Sequence, residues 1–309
     1  VFVQASRLIR KLAKKDKVIV FTRESGFLLP LSFLCRNPNI SGFYELHSFY
    51  ADLSWLDKKR GAHFREKIYE HLFLPRINGL VCITHEQKKL YERIFPALPC
   101  LSFPLGTKPM AGRPDMENRR KKRTLIYVGH MHAEKGVDFL LGAAKYLKKE
   151  NIRILFWGGK ENYVTKFEQK ASDLGVLDAV KFISFQPPEK MHKAMAEEAS
   201  LGVVMLRDNF YNRYLTCPVK ALDYLSHVIP AVGSDLPSVR EVLGNAGTYV
   251  EADNTAAFCA NVKRLLDDPH LYSEMSHKAQ TRAREISWEM RARTLADFAI
   301  KNHGSGKKE

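Results

Sequence analysis

The stretch TLIYVGHMHAEKGVDFLLGAAKYLKK, residues 124–149, decides the fold. Its first five residues form a short apolar run, which is typical of a strand buried on both faces. A glycine-containing loop follows. From Val137 the apolar residues recur at intervals of three and four, which predicts a helix over 137–149. The stretch therefore predicts a strand, a loop and a helix, which together are the repeating unit of parallel α/β sheets.

The same alternation continues along the rest of the chain. Downstream, short apolar runs predict five more strands, over 152–157, 180–185, 201–206, 229–232 and 248–250. Upstream, strands are predicted over 18–22, 42–46, 79–83 and 100–103, and helices over 4–15, 28–35, 57–73 and 85–94. The predicted fold class is α/β, with two Rossmann-like domains of which the N-terminal one is incomplete.

The expected domain boundaries follow from these patterns. Residues 1–107 form an N-terminal domain that lacks its opening strands, since the chain begins at Val1 directly in a helical pattern. Residues 108–123 contain two prolines and the run Arg119–Arg123, and they predict a solvated linker. Residues 124–287 form the second domain, and 288–309 a C-terminal helix and tail. Ligands of parallel sheets bind at the carboxyl ends of the strands, so the cleft between the domains is the expected site.

Composition narrows the class of protein. The chain has 309 residues, of which 45% are hydrophobic and 27% charged, as is usual for a globular protein. The longest nearly apolar run has nine residues, whereas a membrane-spanning helix needs about 20. Five cysteines, without a C-x-x-C pair, predict reduced thiols and a cytoplasmic location.

The charge is strongly basic and uneven. The net charge is +15, and residues 1–110 hold 18 Lys and Arg against 9 Asp and Glu. Such a surface favours phosphorylated ligands, anionic membranes or nucleic acid. A basic amphipathic helix near the N-terminus, with Leu8, Ile9 and Leu12 beside basic residues, fits peripheral binding at the inner membrane face or packing on a sheet. Nucleic acid is not expected as a partner, because no recognised module is present.

Several common enzyme motifs are missing from the sequence. It contains no G-x-x-x-x-G-K-[ST] and no G-x-G-x-x-G, which argues against P-loop nucleotidases and nicotinamide dehydrogenases. It has no H-E-x-x-H and no D-x-D, and His130 with His132 lacks a third ligand. No metal site and no cofactor are therefore expected.

Two loop-to-helix segments are candidates for anion binding. In YVGHMHAEKG, residues 127–136, Lys135 precedes a helix N-terminus, where backbone amides favour phosphate; the alternative is a solvated lysine in a turn. In TCPVKALDYL, residues 216–225, Pro218 fits the first helical turn and Thr216 its cap. Asp223 then faces the same cleft and can accept hydrogen bonds from ribose, unless it is an ordinary surface residue.

Together these segments resemble the family four retaining glycosyltransferases, which have the GT-B fold. The family pattern "YVG…KG" reads YVGHMHAEKG here, and its "sPxKxxEY…PV…SD" pattern reads CPVKALDYLSHVIPAVGSD at 217–235. Similar segments are YELH at 44–47, CITHEQKKLY at 82–91, FPLG at 103–106, WGGK at 157–160 and ISWEMRARTLADFA at 286–299. The resemblance covers nearly the whole chain.

The resemblance implies roles for particular residues. Lys135 would bind the donor diphosphate, beside Gly129 and His130. Asp223 would hold the ribose, and His47 would approach the transferred sugar, so His47 and Lys135 are the candidate catalytic residues. The nucleobase would pass near Ser184 and Phe185. The backbone of a further segment would face the sugar and β-phosphate, and its residues are Thr216, Cys217, Pro218, Val219 and Lys220.

The implied function is a metal-independent hexosyltransferase. It would transfer a hexose, with retention, from a nucleoside diphosphate sugar to a glycan or lipid-linked acceptor in cell-surface polysaccharide or glycoconjugate synthesis. Two departures support an alternative, a non-catalytic relic that binds nucleotide sugars. His130 stands where the family has Arg, and Leu215 stands where it has the first of two paired glutamates.

Overall fold

The computed structural model describes residues 1–56, 61–112, 114–131 and 135–303. These residues form two compact units. The first unit comprises residues 1–104, 213–217 and 289–309, of which 304–309 are outside the described residues. The second comprises residues 105–212 and 218–288. The chain therefore crosses from one unit to the other several times, whereas a single linker would cross only once.

The first unit is built on a four-stranded parallel sheet. Its strands lie in the order β1-β2-β3-β4, that is, Val18–Thr22, Ile40–Leu46, Gly79–Cys82 and Cys100–Ser102. Its helices are α1 (Phe2–Leu12), α2 (Leu28–Leu34), α3 (Phe64–Phe73), α4 (His85–Ile94) and α13, which begins at Trp288 and ends at Lys301. The predicted helix over 57–73 is therefore described only from residue 61, and it begins at Phe64.

The second unit contains a six-stranded parallel sheet. The strands are β5 (Thr124–Val128), β6 (Arg153–Gly159), β7 (Val180–Ser184), β8 (Leu201–Val204), β9 (Ala231–Ser234) and β10 (Gly247–Val250). The helices are α5 (Met116–Lys121), α6 (Val137–Leu147), α7 (Glu161–Asp173), α8 (Pro188–Glu197), α9 (Val219–Ser226), α10 (Pro237–Leu243), α11 (Thr255–Asp267) and α12 (Pro269–Glu285). The strand order is β10-β9-β8-β5-β6-β7.

This order is that of a doubly wound Rossmann sheet, in which the direction of winding reverses between β5 and β8. Strands β5, β8 and β9 are buried at every residue, as their apolar runs predict. The predicted α/β class with two Rossmann-like sheets is confirmed. The predicted strand over 229–232 begins two residues later, at Ala231, because Val228 is left-handed (φ 58°) and Pro230 has no N–H for the sheet.

The prediction of a solvated basic run at 119–123 is wrong. Residues 116–121 form α5, and Arg119 is only 4% exposed. Its guanidinium donates to the carbonyl oxygen of His227 at 2.7 Å and to that of Val228 at 3.2 Å. A charge pattern alone cannot distinguish a solvated arginine from one that satisfies the carbonyls at a helix end.

Candidate functional site

The carboxyl ends of β5 and β8 are held apart by a tyrosine. The two strands pair only at Leu125 with Leu201 and at Ile126 with Gly202. Beyond that point the hydroxyl of buried Tyr224 accepts a hydrogen bond from the Val128 N–H (3.2 Å). It lies 2.9 Å from the Ile126 carbonyl oxygen, to which it donates. The reversal of strand order therefore opens into a crevice, which is where ligands of such sheets bind.

Glycines shape the loop that leaves β5. Gly129 has a φ of 124°, and its N–H donates to the Trp157 carbonyl at 2.8 Å. Gly136 is left-handed (φ 81°) and is the N-cap of α6. A Cβ at Gly136 would lie 2.3 Å from the Met205 carbonyl oxygen, so only glycine lets α6 start this close to the end of β8.

Two lysines converge on this loop. Lys220, in the first turn of α9, places its Nζ 3.6 Å from the centroid of the Tyr127 ring on β5. Lys135 is half-buried, and its Nζ lies 5.9 Å from the Tyr211 ring centroid. Burial, with repulsion by Lys135, lowers the pKa of Lys220 well below its ordinary value. Two neighbouring lysines beside this loop favour a ligand with more than one negative charge.

A cavity of about 650 Å³ also borders α9. Asp223 and Val219 line it together with His192 of α8, Trp288 and residues 105–111. Burial raises the pKa of Asp223 to about 6, and the nearby His192 partly opposes this shift. Gly129, Lys135 and Lys220 are not among the residues that line this cavity, and the prediction that Asp223 shares a cleft with them stays a prediction.

A histidine that the sequence analysis missed completes this cavity. The ring of His192 stacks on that of His227, with centroids 5.0 Å apart and planes inclined by 9°. Its Nδ1 is sealed from solvent and has no hydrogen-bond partner among the described residues. Burial lowers the pKa of His227. The cavity thus offers a carboxyl group and an imidazole, which suit a ligand rich in hydroxyl groups.

The residues predicted for the nucleobase lie at the end of β7. Ser184 is the last residue of the strand, and the Phe185 N–H donates to the Gly159 carbonyl at 2.9 Å. The ring of Phe185 is 48% exposed and meets the His130 ring edge-to-face, with centroids 5.0 Å apart. An exposed aromatic face of this kind can stack on a base.

The predicted cap of α9 is wrong. The helix begins at Val219 with Pro218 as its N-cap, and no side chain caps the first turn. Thr216 and Cys217 are buried and belong to the first unit, where the fully buried Leu215 ends a π-helix over Tyr211–Leu215. Proline fixes its own φ and so determines where the helix starts, which leaves Thr216 two residues too early to cap it.

His47 follows β2 in the first unit. Its Nε2 lies 2.8 Å from a Glu45 carboxylate oxygen, and the other oxygen of Glu45 accepts from Arg291 at 2.7 Å. Burial opposes ionisation of Glu45, but the hydrogen bond from His47 and the charge of Arg291 together lower its pKa. The acidic partner orients the His47 ring, whose side chain remains 39% exposed.

The described parts of the chain were compared with the ligand sets that metal ions need. No three His, Cys, Asp or Glu side chains are grouped there so as to hold an ion. His132, considered with His130 above, lies outside the described residues. Across the described ranges, no helix is both long and apolar enough to cross a membrane.

Sequence reasoning assigned Lys220 to the site through its backbone amide and missed its side chain. It also missed His192 and Tyr224. The only local signal for Lys220 was its place in a first helical turn. Its burial against Tyr127 depends on the packing of α9 on β5. The spacing of apolar residues along the sequence does not predict that packing.

Comparison with known proteins gives a consistent assignment. Residues 122–268 match the family of glycosyl transferases group 1. A D-inositol 3-phosphate glycosyltransferase of Corynebacterium kroppenstedtii is 28% identical over 182 residues, which cover 56% of this chain and 39% of that protein. An uncharacterized glycosyltransferase of Haemophilus influenzae is 23% identical over 290 residues, 90% of this chain and 75% of that protein. The match thus spans about two fifths of the inositol-phosphate relative's length.

Solved structures share the fold. S. aureus TarM, in complex with fondaparinux, α-GlcNAc-glycerol and UDP, aligns with a TM-score of 0.71 at 17% identity, over 96% of this chain and 58% of that one. Anabaena HepE in complex with UDP aligns with a TM-score of 0.67 at 12% identity, over 94% of this chain and 81% of that one. Residues 122–268 are thus similar to the group 1 glycosyl transferases, and the chain has the GT-B fold.

Proposed function

We propose that the protein is a glycosyltransferase that takes a hexose from a nucleoside diphosphate sugar. The observation that carries the proposal is the convergence of Gly129, Lys135 and Lys220 where β5 and β8 diverge. Electropositive groups at this point of a Rossmann sheet suit a diphosphate. The acceptor we propose is a glycan or a lipid-linked sugar, in the synthesis of cell-surface polysaccharide or glycoconjugate.

The nucleoside half of the donor is proposed to bind along α9 and β7. Asp223 would accept hydrogen bonds from the ribose hydroxyls, and Phe185 would lie against the base. The cavity that Asp223 lines has room for a nucleoside-sized group.

The chemistry we propose depends on charge and position. As the glycosidic bond breaks, negative charge grows on the leaving diphosphate, and the Lys135 ammonium with the first-turn amides of α9 opposes that charge. The acceptor hydroxyl would attack from the face that the diphosphate leaves, and the diphosphate would take the hydroxyl proton, so configuration is retained. His47 is proposed to contact the transferred sugar. No divalent metal is required in this scheme.

One observation favours a second candidate. Leu215 is fully buried and supplies no carboxylate for the donor sugar. A protein that binds nucleotide sugars without transferring the hexose would tolerate this residue. The two functions differ in turnover, because only the enzyme releases nucleoside diphosphate in the presence of acceptor.

A donor screen tests the proposal. The protein is incubated with UDP-, GDP-, ADP-, CDP- and dTDP-hexoses and a membrane lipid extract, and released nucleoside diphosphate is measured with and without EDTA. Release from one donor class, unchanged by EDTA, is expected. Binding without release would favour the second candidate, and loss in EDTA restored by Mg²⁺ would contradict the metal-free scheme.

The location we propose is the cytoplasmic face of a membrane. Helix α1 carries exposed Val3, Leu8 and Leu12, and it has basic residues in its last turn. A helix of this kind can lie on an anionic lipid surface, where a lipid-linked acceptor would be found.

A further inference from the structure

A glutamate interrupts the buried strand β2 near its carboxyl end. Glu45 lies between the buried residues Tyr44 and Leu46, and its side chain is 22% exposed. A carboxylate in such a place costs free energy unless its oxygens are paired. Both are paired here, since one oxygen lies 2.8 Å from Nε2 of His47 and the other accepts from Nη2 of Arg291 at 2.7 Å. Glu45 thus joins His47 to a buried arginine.

Arg291 is held by three acceptors. It lies on α13, is 3% exposed, and belongs to the first unit, as do Phe103, Pro104 and Glu45. Its Nη1 donates to the carbonyl oxygens of Phe103 at 2.6 Å and of Pro104 at 2.7 Å. A planar guanidinium that donates to several acceptors has one orientation, unlike the flexible ammonium of a lysine. The carboxylate of Glu45 is therefore fixed by a group that is itself fixed.

These contacts determine where the hydrogen of the His47 ring lies. Burial opposes ionisation of Glu45, yet the hydrogen bond from His47 and the charge of Arg291 lower the pKa of the carboxyl group. An ionised carboxylate can only accept hydrogen bonds, so Nε2 of His47 carries a hydrogen and donates it. In the neutral ring Nδ1 then has no hydrogen. The His47 side chain is 39% exposed, and Nδ1 is the ring nitrogen that remains for a ligand.

We propose that Glu45 and Arg291 are positioning residues that keep His47 in the Nε2–H form, so that Nδ1 accepts a hydrogen bond from a hydroxyl group of the transferred hexose. The proposal rests on the proposed function and adds two residues to it. The ring makes no bond to the sugar and transfers no proton. A hydroxyl group at that position of the hexose is selected over a group that cannot donate, because Nδ1 would otherwise lose its partner on binding.

Nuclear magnetic resonance reads the form of the ring directly. The full chain is labelled with ¹⁵N in its histidine rings and studied at about pH 8.5, where histidine is ordinarily neutral. The variant His47→Gln identifies the signal of His47. In the wild type we expect hydrogen on Nε2 and none on Nδ1. Hydrogen on Nδ1 instead would overturn the proposal, and this measurement does not depend on the folding of a variant of Glu45 or Arg291.

Glu45→Gln tests the role of the carboxylate. The amide oxygen should remain with Arg291, which only donates, so the amide NH₂ group should face Nε2 of His47. The ring hydrogen should therefore move to Nδ1. Glu289→Gln, at an exposed position of α13, is the control for the same exchange and should leave the ring unchanged. A ring that stays in the Nε2–H form in Glu45→Gln would overturn Glu45 as the residue that sets this form.

Donor analogues test whether Nδ1 meets the sugar. In a deoxyfluoro hexose, fluorine replaces one hydroxyl group and cannot donate a hydrogen bond. The ratio of kcat/KM for the preferred donor to that for each analogue is compared among the wild type, Glu45→Gln, His47→Ala and Glu289→Gln. For one analogue we expect this ratio to be about 10-fold larger in the wild type and the control than in the other two, as for one hydrogen bond. Affinity for the free nucleoside diphosphate should be the same in all four, since it lacks the sugar.

The outcomes separate this proposal from the proposed function. Equal ratios in all four proteins would overturn the contact with the sugar, while turnover itself would leave the proposed function standing. An ion pair that only ties α13 to β2 would lower the unfolding temperature of Glu45→Gln and leave the ratios equal. Absence of turnover with every donor would overturn the proposed function and the sugar contact together, and the position of the ring hydrogen would still decide whether Glu45 sets the form of His47.

Discussion

Gly202 and Tyr224 are in such close contact that a Cβ at Gly202 would lie 2.3 Å from the Cδ2 atom of the tyrosine ring. Gly202 is also the last residue of β8 that pairs with β5. The missing side chain thus lets the ring of α9 reach between the two strands. The crevice at the end of β5 depends on this contact, since the Tyr224 hydroxyl replaces strand pairing there.

Gly202→Ala is expected to destabilise the protein by about 1–3 kcal/mol, because the added methyl overpacks a site that cannot expand. The measurement is the free energy of unfolding in urea. Gly142→Ala is the control, since a Cβ there meets nothing within 4 Å and an alanine in α6 should add about 0.5–1 kcal/mol. Equal stability of Gly202→Ala and the wild type would contradict the packing described.

Lys135→Ala is expected to lower turnover on the order of 100-fold at saturating donor, because the proposed contact of its ammonium with the leaving diphosphate is lost. Folding should change little, since the side chain is half-buried and lies 5.9 Å from the Tyr211 ring centroid. Turnover is measured as released nucleoside diphosphate, and stability by thermal unfolding. Lys145→Ala, exposed on α6, serves as the control, and a Lys135 variant as active as this control would rule out the role.

Asp223→Asn is expected to increase stability at pH 7.5 while weakening ligand binding. Burial raises the folded-state pKa of Asp223 to about 6, from 3.8. The folded state thus favours the protonated carboxyl group, and stability from this group is lost as pH rises through that interval. After allowance for partial solvent exposure, the gain in the variant is about 1–2 kcal/mol.

Binding supplies the second half of this test. Affinity for the nucleoside diphosphate and for the intact donor should fall by similar factors in Asp223→Asn, since ribose is common to both. The stability gain should vanish at pH 3.5. A loss restricted to the intact donor would place Asp223 on the sugar instead.

Reversal of Lys11, Lys14 and Lys15 to Glu is expected to weaken binding to anionic vesicles, each lysine contributing about 1 kcal/mol near the surface. Binding of the wild type should fall with added salt and should be weaker on neutral vesicles. Reversal of the exposed Lys145, Lys149 and Lys166 is the control. Absence of binding to either vesicle at low salt would contradict the membrane proposal and favour a soluble acceptor.

Local sequence determined most of the secondary structure of this protein and the loop that is proposed to bind the donor. The apolar run at 124–128 and the three-and-four spacing after Val137 predict β5 and α6 directly, because burial on a strand or on one helix face repeats within a few residues. The glycine and lysine that flank the loop, Gly129 and Lys135, could be named on the same basis.

The tertiary structure alone decided which side chains contact one another. Lys220 lies 93 positions after Tyr127, and only the packing of α9 on β5 brings the two together and excludes water from the amine. The same packing places Asp223 and His192 on one cavity and buries Arg119 against two carbonyl groups. Burial and charge pairing depend on neighbours distant in sequence, and a pattern of residue types along one strand or helix carries no information about them.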